Sequence, residues 1–190
     1  MNFIRTAAAV LFLGALALAG AASDADAQAA KKLEKPVLVT SAGQALDAFT
    51  VKTLLGRAGV DTNYDPKATA AALDGVKTVI IAVGVSNKGF GQAGITAESE
   101  MARTKAILDT AKAKDIRVVF VHIGGAERRK GLSIQFIEAV APVADQLIVT
   151  KDGNVDDYFE KVSKTSNAPL LLIDQSLEVG KALAKLMASS

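Results

Sequence analysis

Short apolar runs alternate with amphipathic stretches along the chain from Pro36 onward. Several runs, such as Thr78–Val83, are continuous and rich in β-branched residues, a pattern typical of strands buried on both faces of a parallel sheet. Strands are predicted at residues 37–40, 62–64, 78–83, 117–123, 147–149 and 170–173.

The stretches between these runs carry apolar residues at helical spacing. A first helix, predicted to end at Gly59, is indicated by Leu46, Phe49, Leu54 and Leu55. Further helices are predicted at residues 69–73, from a Thr96 cap to Lys114, from a Ser133 cap to Pro142, and at residues 155–164 and 177–187.

Strict alternation of strands and helices predicts an α/β fold, a three-layer doubly wound parallel sheet of flavodoxin-like or Rossmann-like type. Unusual loops follow strands 1, 3 and 4. These strands are neighbours in the order 2-1-3-4-5, so we expect that order, with the last strand added beyond strand 5. A single domain is expected over residues 36–190.

The first 27 residues have the pattern of a signal peptide. Arg5 precedes the uncharged segment Ala7–Ala22, which is shorter than the roughly 20 residues that span a bilayer. Ala25-Asp26-Ala27 fits a small-x-small cleavage site, so cleavage is expected before Gln28, followed by a flexible leader at residues 28–35. The expected location is the bacterial periplasm or exterior, with an uncleaved membrane anchor as the alternative.

Composition excludes several classes of protein. The 190 residues contain 22 basic and 20 acidic side chains, a balance that argues against a nucleic-acid-binding protein, whose affinity rests on many phosphate contacts. The chain has no cysteine and one histidine, which excludes cysteine-ligated zinc, iron–sulfur centres and thiol chemistry.

The candidate ligand site lies in three loops, at residues 41–44, 84–94 and 122–131, because ligands of open α/β sheets bind at the carboxyl ends of the strands. Residues 84–94 are interpreted as one long loop. Two of the three loops are rich in glycine, which allows backbone N–H groups to approach an anion.

Cations embedded in these loops predict an anionic ligand. We expect Lys88 and either Arg128 or Arg129 to face the crevice, with solvent-facing lysine and arginine as the alternative. Arg103 either faces the crevice or pairs with Glu100 one turn away. The predicted ligand-binding residues are Ser41, Gly43, Gln44, Ser86, Lys88, Gly89, Gly91, Arg103, His122, Gly124, Gly125, Arg128 and Arg129.

An enzymatic interpretation rests on His122. At the end of a central strand it is either a general base or a buried histidine bonded to a backbone carbonyl. Ser86 with His122 would form a nucleophile–base pair, with Asp174 as the group that orients the imidazole. That arrangement would make the protein a hydrolase.

No cofactor or metal is expected. Gly89-x-Gly91-x-x-Gly94 has the spacing of a dinucleotide-binding loop, but its first glycine lies six positions beyond Val83 instead of closing the strand. Asp152-x-Asn154-x-Asp156 opens like a calcium loop but lacks the required glycine and glutamate further on. Asn154 is more simply a helix cap.

Six segments of the chain carry recognisable motifs: Ser41–Gln44, Ser86–Ile95, Glu100–Arg103, His122–Arg129, Ala141–Asp145 and Asp152–Asn154. Together they resemble an uncharacterised family of exported bacterial proteins, a domain of unknown function. The resemblance covers essentially the whole chain after the signal peptide. It implies an exported, single-domain α/β protein and supplies no activity, substrate or catalytic residue.

Three hypotheses of function follow. The first is a non-enzymatic periplasmic protein that binds a small anionic ligand, such as a carboxylate or phosphate compound. The second is a periplasmic hydrolase that uses His122 with Ser86. The third is an interaction module for a membrane transporter or sensor.

Overall fold

The computed structural model describes residues 32–189. The predicted signal peptide and its cleavage site before Gln28 lie outside the described residues. Within them the chain forms six strands: β1 Val37–Ala42, β2 Asn63–Tyr64, β3 Thr78–Val83, β4 Arg117–His122, β5 Gln146–Thr150 and β6 Leu170–Ile173.

Helices follow the strands in regular alternation. The α-helices are α1 Asp47–Arg57, α2 Asn87–Ala93, α3 Ala97–Ala113, α4 Leu132–Val140, α5 Tyr158–Ser166 and α6 Val179–Ala188. Short 3₁₀ turns occupy Ala70–Leu73, Ala126–Arg128, Ala141–Val143, Lys151–Gly153 and Ser176–Glu178. In this described part of the chain, no helix is long and apolar enough to cross a membrane.

The six strands form one parallel sheet in the order β2-β1-β3-β4-β5-β6. The predicted order and the doubly wound α/β fold are confirmed. The order reverses between β1 and β3, so the carboxyl ends of these strands define the topological switch point. The edge strand β2 is only two residues long.

Both faces of the sheet are buried, as the continuous apolar runs require. Val37 and Val39 point towards α1 and α6, whereas Leu38 points to the face covered by α3, α4 and α5. The packed domain extends back to Leu33, which is buried, and to Glu34, whose backbone N–H donates to Thr78 Oγ1 at 3.0 Å.

The prediction of a continuous loop at residues 84–94 is wrong, because Asn87–Ala93 form α2. Ser86 caps this helix, its Oγ accepting a hydrogen bond from Gly89 N at 3.0 Å, and Gly94 ends it in the left-handed conformation. Two glycines lower the helical propensity of this segment. Burial of Phe90 against the core overcomes that disadvantage.

Two predicted helix starts also differ. Ser133 does not cap α4; Gly131 does, and Ser133 lies inside the first turn, where its Oγ accepts from Val85 N at 3.2 Å. Helix α1 begins at Asp47, which leaves Leu46 and Phe49 on the solvent side with exposures of 80% and 52%. Apolar residues at helical spacing therefore include two that do not face the core.

Candidate functional site at the switch point

The loops after β1 and β3 are joined to each other by their backbones. Gln44 and Val85 form an antiparallel bridge. Ser86 N donates to Gly43 O at 2.9 Å, and Ala45 N donates to Gly84 O at 3.2 Å. The N–H groups that the sequence offered to an anion are here partly used in linking the two loops.

Glycine is required where the loops touch. At Gly43, with φ of +101°, a Cβ would lie 2.5 Å from Gly84 O. At Gly89 a Cβ would lie 2.1 Å from Gln44 O. These two glycines therefore serve close backbone packing. Gly91 differs from them, because a Cβ there would meet no atom within 4 Å.

Beneath the β1 loop lies a buried ion pair between Glu100 and Arg103. Glu100 is fully buried and accepts from Gly43 N and Gln44 Nε2, both at 3.0 Å. Arg103 donates to the same carboxylate at 2.7 and 2.8 Å and also to Ser41 O. Of the two roles predicted for Arg103, the structure shows the ion pair with Glu100.

At Glu100, hydrogen bonding affects the pKa of the carboxyl more than burial does. Burial raises the pKa of this carboxyl, but the bonds from Arg103, Gly43 and Gln44 bring its pKa below the usual value. The carboxylate is therefore charged at neutral pH and fixes the loop that follows β1. Ser41 itself is buried, and its Oγ makes no hydrogen bond.

His122 is fully buried at the end of β4. Its Nδ1 lies 3.0 Å from Val83 O and its Nε2 lies 3.2 Å from Gly125 O, and its ring packs against Phe159. Burial lowers the pKa of His122 below its usual value, opposed by the two carbonyl contacts and by the charge of Asp47. This is the buried, backbone-bonded arrangement that the sequence left as one of two alternatives.

The geometry does not assemble the predicted hydrolase triad. Ser86 Oγ serves as a helix cap, and within residues 32–189 no hydrogen bond joins it to His122. Asp174 follows β6, two strands away from β4, and pairs with Lys151. The residues therefore hold neighbouring segments in place instead of forming a proton relay.

The predicted cations have different surroundings. Arg129 is turned away from the switch point: its Nη2 bonds Asp156 at 2.6 Å and its guanidinium stacks on Tyr158 at 4.9 Å. Lys130 pairs with Glu127 on the surface. Lys88 is exposed in the first turn of α2 and makes no ion pair with the described residues.

Arg128 is the arginine that lies at the switch point. Its Nη1 donates to Asp47 Oδ1 at 3.1 Å, and a Cβ at Gly84 would lie 3.0 Å from its Nη2. A Cβ at Gly124 would lie 2.8 Å from its Cδ. The side chain is 39% exposed, against 13% for that of Asp47. Gly84 and Gly124 thus make room for a guanidinium that solvent can reach.

Gly125 closes the turn before Arg128. Its φ is +70°, and a Cβ there would lie 2.9 Å from Asp152 Oδ2. This conformation disfavours any side chain. The glycine precedes the 3₁₀ turn Ala126–Arg128, and the Arg128 side chain at the end of that turn reaches Asp47 in the first turn of α1.

Sequence reasoning missed Asp47 and Glu100 as members of the site. Asp47 lies beside Leu46 in the first predicted helix and belongs to none of the motifs, so the sequence did not indicate it; the structure places it in the first turn of α1. Glu100 was named as a partner for Arg103 and as part of the Glu100–Arg103 motif, but not as a member of the site. Within the described part of the chain, no group of three or more acidic or histidine side chains could hold a metal ion.

The fold and the site together define a doubly wound α/β protein whose switch point carries an Arg128–Asp47 pair above interlocked loops. The sequence model of the family "domain of unknown function DUF6305" matches residues 34–187. The chain belongs to this family. No curated protein and no solved structure matches it.

Proposed function

We propose that the protein is an exported, non-enzymatic binder of a small anionic ligand, with Arg128 as the residue that holds the anion. The observation that supports this role is that most N–H donors of its guanidinium have no hydrogen-bond partner among the described residues. Arginine offers five N–H donors, and one hydrogen bond, to Asp47, is the bond that this side chain makes among the described residues. The side chain is 39% exposed, so solvent or a ligand can reach its guanidinium.

Asp47 limits the charge of the ligand. Its Oδ1 already neutralises part of the guanidinium charge, and its Oδ2 is buried without a hydrogen-bond partner. This carboxylate would repel a dianion more strongly than it would repel a singly charged group. We therefore favour a carboxylate over a phosphate compound.

The other predicted anion-binding residues contribute less. Backbone donors of Gly43 and Gly89 are bonded to Glu100 and Ser86 respectively. Lys88 remains a candidate for attracting an anion at longer range, because it is exposed and unpaired among the described residues. The export part of the proposal rests on the signal-peptide pattern of residues 1–27.

The test is ligand binding by the protein purified after expression of the full chain. Thermal shift with a panel of monocarboxylates, dicarboxylates and phosphate monoesters should identify stabilising anions, and calorimetry should then give affinities. Arg128→Gln should weaken binding by about ten- to a hundredfold, since charge-assisted hydrogen bonds contribute about 1.5–3 kcal/mol. Lys130→Gln, two positions away and paired on the surface, is the matched control and should change affinity less than about twofold.

Two results would contradict the proposal. One is the absence of stabilisation by any anion of the panel at millimolar concentration. The other is equal affinity in the wild type and in Arg128→Gln, which would place the anion elsewhere.

A further inference from the structure

Two ion pairs at the switch point differ in how much of their hydrogen-bonding capacity is used. Glu100 accepts four hydrogen bonds, two from Arg103 and two from the loop after β1. Arg103 donates in addition to two backbone carbonyl oxygens. A pair satisfied in this way has a structural role, because little donor or acceptor capacity is left for a ligand.

The pair of Asp47 and Arg128 uses far less of its capacity. One hydrogen bond, from Arg128 Nη1 to Asp47 Oδ1 at 3.1 Å, joins the two side chains. A carboxylate has about four acceptor sites and a guanidinium has five donors. Asp47 Oδ2 is buried without a partner among the described residues. A buried polar atom in this state is costly unless a donor reaches it, so this pair is suited to contact with a ligand.

The unused acceptor and an unused donor of this pair lie against the same backbone position. A Cβ at Gly84 would lie 2.8 Å from Asp47 Oδ2 and 3.0 Å from Arg128 Nη2. One small molecule can therefore contact both groups. Because Oδ2 is shielded from solvent, such a molecule must displace the Arg128 side chain outward. That side chain is partly exposed and held by a single hydrogen bond.

We propose that the ligand is a carboxylate with a hydrogen-bond donor on the carbon next to the carboxyl group, that is, a 2-hydroxy or a 2-amino acid. This inference rests on the proposed function and specifies its ligand. The ligand's carboxylate accepts from Arg128, and its hydroxyl or ammonium group donates to Asp47. Because the two side chains are hydrogen-bonded neighbours, the two groups that they bind must also be neighbours, as they are on adjacent carbons.

Asp47 then selects ligands by the group on carbon 2. A hydroxyl or ammonium group gives the carboxylate of Asp47 a donor, whereas a hydrogen atom leaves it unsatisfied and a 2-oxo group presents a second acceptor. A hydrogen bond to a charged group changes affinity by about ten- to a hundredfold. The group on carbon 2 should therefore have a measurable effect even in a very small acid.

The experiment compares four three-carbon acids that differ at carbon 2: propionate, both enantiomers of lactate and of alanine, and pyruvate. Calorimetry at millimolar ligand, on the protein purified after expression of the full chain, gives the affinities. Lactate or alanine should bind at least about tenfold more tightly than propionate, and pyruvate should bind no more tightly than propionate. The tighter of lactate and alanine identifies the donor as a hydroxyl or an ammonium group.

Asp47→Ala removes the acceptor and should abolish this preference, so that lactate and alanine bind no more tightly than propionate. Propionate should bind the variant at least as tightly as it binds the wild type, because a negative charge beside Arg128 is lost. Retained propionate binding also shows that the variant is folded. Asp156→Ala is the matched control, since it makes the same change beside Arg129, and it should keep the preference of the wild type.

Three results would overturn the inference. One is equal affinity of the wild type for propionate, lactate and alanine; the proposed function survives this result if Arg128→Gln weakens the binding of all three. Another is a preference that persists in Asp47→Ala. The third is no binding of any of the four acids, and the proposed function fails with the inference only if the wider panel of carboxylates and phosphate monoesters also gives no stabilisation.

Discussion

The buried Glu100–Arg103 pair gives the sharpest test of how the site is held together. Glu100→Gln keeps the size of the side chain and removes its charge. The replacement leaves the Arg103 guanidinium, whose side chain is only 14% exposed, without a counter-ion. It also places an amide where the carboxylate accepted from Gly43, Gln44 and Arg103.

The expected cost follows from these contacts. Removing one partner of a buried pair typically costs about 3–5 kcal/mol, because the other charge is left uncompensated. Arg103 keeps hydrogen bonds to the carbonyl oxygens of Ser41 and Ala68, so we expect the lower end, about 3 kcal/mol. For a domain of this size that corresponds to a fall in Tm of about 6–12 °C.

Urea unfolding monitored by circular dichroism measures this loss directly. Glu127→Gln is the control: it breaks the exposed pair with Lys130 and should leave the free energy of unfolding nearly unchanged, because solvent screens such a pair. The double variant Glu100→Leu/Arg103→Met should be more stable than Glu100→Gln, because no unpaired charge remains buried. A loss below about 1 kcal/mol in Glu100→Gln would refute the view that this pair anchors the loop after β1.

Three further predictions concern the same region. Burial lowers the pKa of His122, so the unfolded chain binds a proton at higher pH than the folded one. The free energy of unfolding, measured by urea titration, should therefore fall from pH 7 to pH 5, and this fall should be smaller in His122→Asn. Gly89→Ala should cost about 1–3 kcal/mol in the same assay because its Cβ meets Gln44 O, whereas Gly91→Ala, in open space, should be neutral or slightly stabilising; equal effects would show that the contact at Gly89 is easily relieved. Asp47→Asn should raise the affinity for phosphate monoesters relative to carboxylates in calorimetry, and an unchanged ratio would argue against charge selection by Asp47.

The sheet was predictable because its four inner strands are buried on both faces and so appear as continuous apolar runs. Thr78–Val83 and Leu170–Ile173 have the bounds that the sequence predicts. The strand order was predictable because the unusual loops follow strands 1, 3 and 4, and ligand-binding loops of open α/β sheets follow neighbouring strands at the switch point. Helix α2 was not predictable from composition, since its formation depends on the Ser86 cap and on the burial of Phe90.

The site was less predictable because residue type does not reveal what a side chain will contact. Arg128 and Arg129 are adjacent and chemically equivalent in the sequence, yet one lies over Asp47 and the other stacks on Tyr158. The difference lies in the partners that the fold brings to each side chain, Asp47 from α1 to Arg128 and Asp156 with Tyr158 to Arg129. Sequence reasoning could state that one arginine would face the crevice, but not which one.

Glycine-rich loops have two opposite meanings, and the atoms around each glycine distinguish them. Gly43 and Gly89 lie against carbonyl oxygens of neighbouring backbone, so their lack of a side chain serves packing between loops and leaves no room for a ligand. Gly84 and Gly124 lie against the side chains of Asp47 and Arg128, so their lack of a side chain leaves space around a solvent-accessible guanidinium. We therefore expect the proposed anion to contact Arg128, beside the second pair of glycines, instead of the loop amides.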